Sequence, residues 1–278
     1  MADEYTSFPT SKPINLQCRL GYGSLTVIAQ DDLAEATVRL TPRNPRSDVL
    51  GRSVVELRGP TLVVQVPRQG GGGLADLIGG WGRDKDAVDA EIVVPTRTAV
   101  KLSTGSADIT VVGTVGGAEV STGSADIDVD TVDGDLRLRY GSANSRVSTV
   151  TGSATVRSGA GDAHFGEVCG DLQAGFGSGD LDIDIARGSV RSRSGSGDAS
   201  IGVGYGDIDL AAGSGRVTIG LPEGLSARLQ VTTGSGRVQS ELPIEDRSTS
   251  PGRAITVKAR TGSGDVRLFR APTAPSAA

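Results

Sequence analysis

A glycine, in most copies followed by serine, returns every 18 residues at Gly105, Gly123, Gly141, Gly159, Gly177, Gly195 and Gly213. Equal spacing leaves no room for insertions, as expected when each repeat is one coil stacked on the next. Early copies read Thr104-Gly105-Ser106-Ala107-Asp108-Ile109 and Thr122-Gly123-Ser124-Ala125-Asp126-Ile127. Later ones read Gly177-Ser178-Gly179-Asp180-Leu181 and Gly195-Ser196-Gly197-Asp198-Ala199. The unit divides again: steps of nine from Asp126 reach Asp135, Asn144, Ser153, Asp162, Asp171, Asp180, Ser189, Asp198 and Asp207. After most of these positions alternate residues are apolar, as in Ile127/Val129, Leu136/Leu138, Leu181/Ile183 and Ile208/Leu210. That is the period of a strand. Each 18-residue coil is therefore predicted to hold two short strands and two Gly-centred turns. The fold class is all-β: a parallel β-solenoid, right-handed because crossovers between parallel strands normally have that hand.

Composition fits a stack of this kind. Forty-one glycines in 278 residues are about twice the ordinary usage of roughly 7 %, and they fall at a fixed period rather than in a flexible tract. Aromatics make up 3 %, which suits a narrow interior filled by Val, Ile, Leu and Ala. A net charge of −5 gives no support to nucleic-acid binding. The start, Met-Ala-Asp-Glu-Tyr-Thr-Ser-Phe-Pro, has no basic or apolar signal region, and no stretch approaches 18 apolar residues. The expected address is cytoplasmic, with envelope association only through a partner. Cys18 and Cys169 do not make a disulfide framework and read as small buried or half-buried thiols.

Along the chain, residues 1–13 read as a disordered leader and 14–97 as an irregular β cap covering the first open edge of the stack. The solenoid proper is assigned to 98–270 and a loose tail to 271–278. Within the cap, Val54–Leu57 and Leu62–Val66 flank Arg58-Gly59-Pro60 as a hairpin, and Gly23-Ser24-Leu25-Thr26-Val27 echoes the repeat text. Segment 69–86 departs from the pattern: flanking glycines frame Leu74, Leu77, Ile78 and Trp81, a candidate sticky patch in a mobile loop. Beyond Gly213 the spacing relaxes to Gly234 and Gly262. The reading is of loops bulging at 221–224 and 243–253, with a last coil at 261–268.

The recurrent Thr-Gly-Ser-Gly-Asp-Val text, led in by Ile92-Val93-Val94-Pro95 and followed by Leu221-Pro222-Glu223-Gly224-Leu225-Ser226-Ala227, resembles the bacterial "putative adhesin" family, also called the toastrack domain. The resemblance covers roughly Ile14 to Phe269. It implies a β-solenoid domain acting as a non-catalytic binding or scaffold module, linked by context to the cell envelope and its stress systems.

The chemistry-bearing residues point the same way. Asp180 directly follows Gly179 and precedes Leu181, out of register with calcium-binding nonapeptides, so the repeated aspartates are expected to accept backbone N–H groups at their own turns. His164, the only histidine, falls at an outward position with no nucleophile assignable to it, and no Gly-x-Ser-x-Gly elbow exists. No catalytic residue, metal or cofactor is expected. Sorting outward positions by face gives one side with Asp128, Asp130, Arg146, His164, Asp182 and Asp184. The other carries Glu119, Arg137, Arg139, Arg157, Gln173, Arg191, Arg193 and Asp209. Arginine rows favour carboxylate or phosphate groups, so Arg137, Arg139, Arg157, Arg191 and Arg193 are the candidate interaction residues. The expected partner is a protein or other acidic surface, including the acidic side of a second copy. Two alternatives are a self-assembling bactofilin-like solenoid and a polysaccharide-active β-helix enzyme using the Asp128/Asp130 or Asp182/Asp184 carboxylates.

Overall fold

Alternation of apolar and polar residues becomes strand almost everywhere in the computed structural model, which describes residues 4–10, 12–67, 86–242 and 254–272. The chain divides into two compact units, one ending at Ala143 and one beginning at Asn144. Apart from a three-residue 3-10 turn at Leu50–Arg52, the described regular structure is all strand.

In the second unit two sets of strands run in parallel register. One set comprises β11 (Ser145–Val150), β13 (Ala163–Val168), β15 (Leu181–Ala186), β17 (Ala199–Gly204) and β19 (Val217–Pro222), each paired with the next. The other comprises β12 (Ala154–Ala160), β14 (Leu172–Ser178), β16 (Val190–Ser196) and β18 (Ile208–Ser214), paired likewise. Like residues stack on like: Leu172, Val190 and Ile208 form one buried row, and Ala163, Leu181, Ala199 and Val217 another. This is the predicted parallel solenoid with two strands per 18-residue coil.

The end of the second unit corrects the sequence expectation. After β20 (Ala227–Ser235) and β21 (Val238–Ser240), the chain returns as β22 (Ile255–Ser263) and β23 (Val266–Ala271). These last two strands pair with β18 and β19 on one side and with β20 and β21 on the other. The final segment is thus the penultimate coil, and 227–240 is outermost. Burial follows position rather than chain order: Val257, Ala259, Val266 and Leu268 are buried, whereas Val238 is 49 % exposed.

The first unit shows the same device. Strand β2 (Asn15–Gln30) lies between β7 (Ala99–Val115) on one side and β5 (Thr61–Gln65) with β6 (Val88–Pro95) on the other, all parallel. From β7 the stack continues through β8 (Ala118–Thr122) and β9 (Ile127–Val132), and from β8 to β10 (Leu136–Tyr140). Antiparallel strands cover the outer side of β5 and β6: β4 (Val54–Arg58) on β5, β3 (Glu35–Pro42) on β6, and β1 (Glu4–Pro9) on β3. The hairpin read from Arg58-Gly59-Pro60 is present. Residues 4–9 are not a disordered leader, because Glu4 to Pro9 pair along β3 from Leu40 to Glu35.

The corners add two constraints to the strand ladders that join successive coils. A Cβ added at Gly177, Gly195 or Gly213 would lie 2.6 Å from the carbonyl oxygen of the glycine one coil earlier. The second glycine of the motif is tighter still: at Gly197 (φ +139°) and Gly215 (φ +149°) that distance is 2.0 Å. Beside these contacts the repeated aspartates form a ladder. The Asp162, Asp180 and Asp198 carboxylates accept the backbone N–H of Asp180, Asp198 and Arg216 at 2.8, 2.7 and 2.7 Å. Asp171 and Asp207 do the same for Ser189 and Thr256 on the opposite corner. The expectation of bonds within each turn is corrected: the donor belongs to the adjacent coil, because the turn's own amides face along the stack. The threonine of the motif points inward, Thr104 donating to the Ala107 carbonyl at 3.0 Å and accepting from the Thr122 hydroxyl at 2.9 Å.

These contacts predict opposite outcomes for two glycines of the second unit. Gly197→Ala places a methyl inside a carbonyl at a left-handed φ and should cost several kcal/mol, on the order of 2–4. Gly175→Ala, where an added Cβ meets nothing within 4 Å, should change stability by less than about 1 kcal/mol. Chemical denaturation of the two variants checks the contrast.

Candidate interaction faces

Outward residues of the second unit form two rows on the face made by β12, β14, β16, β18 and β22. Pairing places Arg157, Gly175, Arg193, Ala211 and Arg260 side by side. The neighbouring row holds Thr155, Gln173, Arg191, Asp209 and Lys258. The structure brings together three of the predicted arginines here, Arg157, Arg191 and Arg193, and adds Lys258 and Arg260. Those two were missed because the 255–271 segment was assigned to the end of the stack. The alternation Ile255-x-Val257-x-Ala259 marked it as a strand, but spacing alone could not say which strand it would join.

Asp209 is the one acid in the two rows. Its Oδ2 lies 3.7 Å from Arg191 Nε and 3.5 Å from Arg193 Nη2, with those arginine side chains 66 % and 55 % exposed. Ion pairs this long and this wet contribute little, so the guanidiniums remain available to an incoming anion. A shallow cleft of about 390 Å³ opens beside them, lined in part by Gln173, Arg191, Asp209 and Lys258.

Arg137 and Arg139 lie on β10 of the first unit, exposed, beside Glu119 and Ser121 of β8. Lys101 donates to Glu119 at 2.9 Å. That hydrogen bond holds the Glu119 carboxyl below its ordinary range against the opposing pull of burial, with the positive charges of Lys101, Arg139 and Arg137 adding to it. The basic residues of this unit are therefore partly matched by an acid of their own. Leu74, Leu77, Ile78 and Trp81 fall outside the described residues.

The other face of the second unit brings together three of the residues that outward position assigned to one side. His164 on β13 stands opposite Asp182 on β15. Its Nδ1 is 3.2 Å from Asp182 Oδ2 and its Nε2 is 3.7 Å from Asp184 Oδ2. One donor atom from each lies within 4.8 Å of the others, an arrangement that could accept a divalent cation after small side-chain adjustment. The signal in the sequence was the 18-residue offset between His164 and Asp182. In the first unit Asp130 is committed to structure, its carboxylate accepting the Gly113 N–H at 2.9 Å where β7 bulges.

Both cysteines are free thiols. Cys18 is buried among β2, β5 and β7 with 1 % exposure, and burial pushes its thiol from 9.0 up to about 12. Cys169 is half-buried, its Sγ 4.0 Å from Glu167. Among the described residues no helix is long and apolar enough to cross a membrane.

No protein-family model and no curated protein sequence matches the chain. Solved structures do match over nearly its whole length. A "putative adhesin" from Bacteroides fragilis aligns over 96 % of this chain and 97 % of its own, with TM-score 0.52 and 14 % identity. A "putative lipid binding protein" from Parabacteroides distasonis covers 96 % of both chains at TM-score 0.46 and 12 % identity. A "putative adhesin" from Parabacteroides merdae aligns over 96 % of this chain and 95 % of its own at TM-score 0.38 and 11 % identity. The first of these likenesses establishes a shared fold.

The burial difference between the two thiols is directly testable. At pH 8 a disulfide reagent should titrate one thiol per native chain, that of Cys169, and two after denaturation. Loss of the fast-reacting thiol in Cys169→Ser, with Cys18 still silent, checks the assignment.

Proposed function

We propose that this chain is a non-catalytic binding module of the toastrack type, acting at the cell envelope through a partner, and that the basic face of its second unit is the docking surface. The observation that carries the reading is the charge imbalance on β12–β22. Arg157, Arg191, Arg193, Lys258 and Arg260 outnumber the three acids beside them, Asp209 in the rows and Asp171 and Asp207 at the strand starts, whose carboxylates already accept backbone N–H groups of the next coil, in a chain of net charge −5. Such a concentration costs electrostatic self-repulsion, which an acidic partner relieves. Arginine supplies most of it, and its planar fork suits carboxylate and phosphate groups. The fold shared with the Bacteroides fragilis "putative adhesin" and the sequence resemblance to that family favour a binding role over catalysis.

Retention on a carboxymethyl matrix at pH 7 tests the docking face, because a chain of net charge −5 has no reason to bind a negative support except through a local patch. The wild-type chain should be retained at low salt and released as screening sets in near 0.1 M. The double reversal R191E/R193E should pass straight through while keeping its circular dichroism spectrum. Equal retention of both proteins would sink the proposal.

A further inference from the structure

The arginines of the β12–β22 face are periodic as well as numerous. Along one row the order is Arg157, Gly175, Arg193, Ala211, Arg260, so a cation stands on every second strand. With parallel strands about 4.8 Å apart, the guanidiniums originate about every 10 Å over a span of roughly 20 Å. Between them the surface drops to a hydrogen or a methyl group, and an added Cβ at Gly175 meets nothing within 4 Å. Arg157 and Arg260 enter no ion pair among the described residues, and Arg193 meets only the distant Asp209.

The backbone beneath this row is fully used, since β14, β16, β18 and β22 each pair on both sides. A partner cannot add a strand here, so recognition rests on side chains at fixed intervals. A rigid ladder of like charges selects for an extended polymer whose anions recur at the same interval, since each further contact then forms at high effective concentration. Extended peptide presents same-side groups every ~7 Å, and the phosphates of a B-form DNA strand advance 3.4 Å each while winding around the helix axis; neither keeps one anion per ~10 Å on a single side. Resting on the docking face described above, we infer that this row binds a linear acidic polysaccharide carrying one carboxylate per disaccharide. Its anions lie over Arg157, Arg193 and Arg260, and its intervening sugars over Gly175 and Ala211.

Calorimetric titration of the full chain with hyaluronate oligosaccharides, poly-L-glutamate of equal charge and neutral dextran tests the inference. Hyaluronate binding should strengthen with length until three carboxylates are available and then level off. R157A, R193A and R260A should each weaken it on the order of tenfold. Gly175→Leu, which fills the trough without altering charge, should weaken hyaluronate more than poly-L-glutamate; unchanged thermal melting of these surface variants confirms that they fold. Poly-L-glutamate binding as tightly as hyaluronate would overturn the glycan assignment while leaving the docking face intact. Failure of both polymers, together with loss of retention on the carboxymethyl matrix, would overturn the docking face as well.

Discussion

At the Gly-Ser-Gly corners of the second unit's stack, from Gly177 to Gly215, a glycine lies against the carbonyl oxygen of the glycine one coil earlier, so closely that no side chain would fit. Glycine at these corners permits the approach of about 4.8 Å that the parallel hydrogen-bond ladder requires, and with it the spacing of everything the strands carry. The aspartate ladder depends on it, because a carboxylate reaches the next coil's N–H at 2.7–2.8 Å only when the corners are in register. The buried rows depend on it too, since Leu172, Val190 and Ile208 touch as neighbours only if no corner is spread. The charged rows outside are the same register seen from the solvent side.

Repeat stacks are vulnerable at their ends, where a bare coil has one neighbour instead of two. Here both units insert a segment out of chain order one layer inward: β2 between β6 and β7, and β22 with β23 between β18 with β19 and β20 with β21. Opening of either inserted segment would break pairing on both of its sides, which raises the cost of local opening. The more exposed outermost coil at the second unit's end, Ala227–Ser240, is an internal stretch of chain tethered on both sides.

Much of this architecture was legible because an 18-residue period has few structural solutions, and because inward and outward positions follow from strand alternation alone. Arg157, Arg191 and Arg193 were assigned to one face on that basis, and pairing places them there. Strand order at the ends was not legible. The relaxed spacing to Gly234 and Gly262 reports how much chain is inserted, not which neighbour a strand selects, so Lys258 and Arg260 were absent from the predicted face. The partner of each aspartate was missed for a related reason: local turn chemistry and inter-coil bonding use the same Gly-Asp text. Strand β1 gave little signal because Glu4-Tyr5-Thr6-Ser7 carries no apolar alternation.

The inserted strand is the point on which fold and function converge, since the arginine row is continuous only if β22 lies directly beside β18. Native-state amide hydrogen exchange, read residue by residue, tests this most directly. Amides of Ile255–Ser263 and Val266–Ala271 should exchange as slowly as those of β16 and β17, with Ala227–Ser240 exchanging much faster. Fast exchange in the final segment and strong protection across 227–240 would mean that the strands stack in chain order, and would contradict the account.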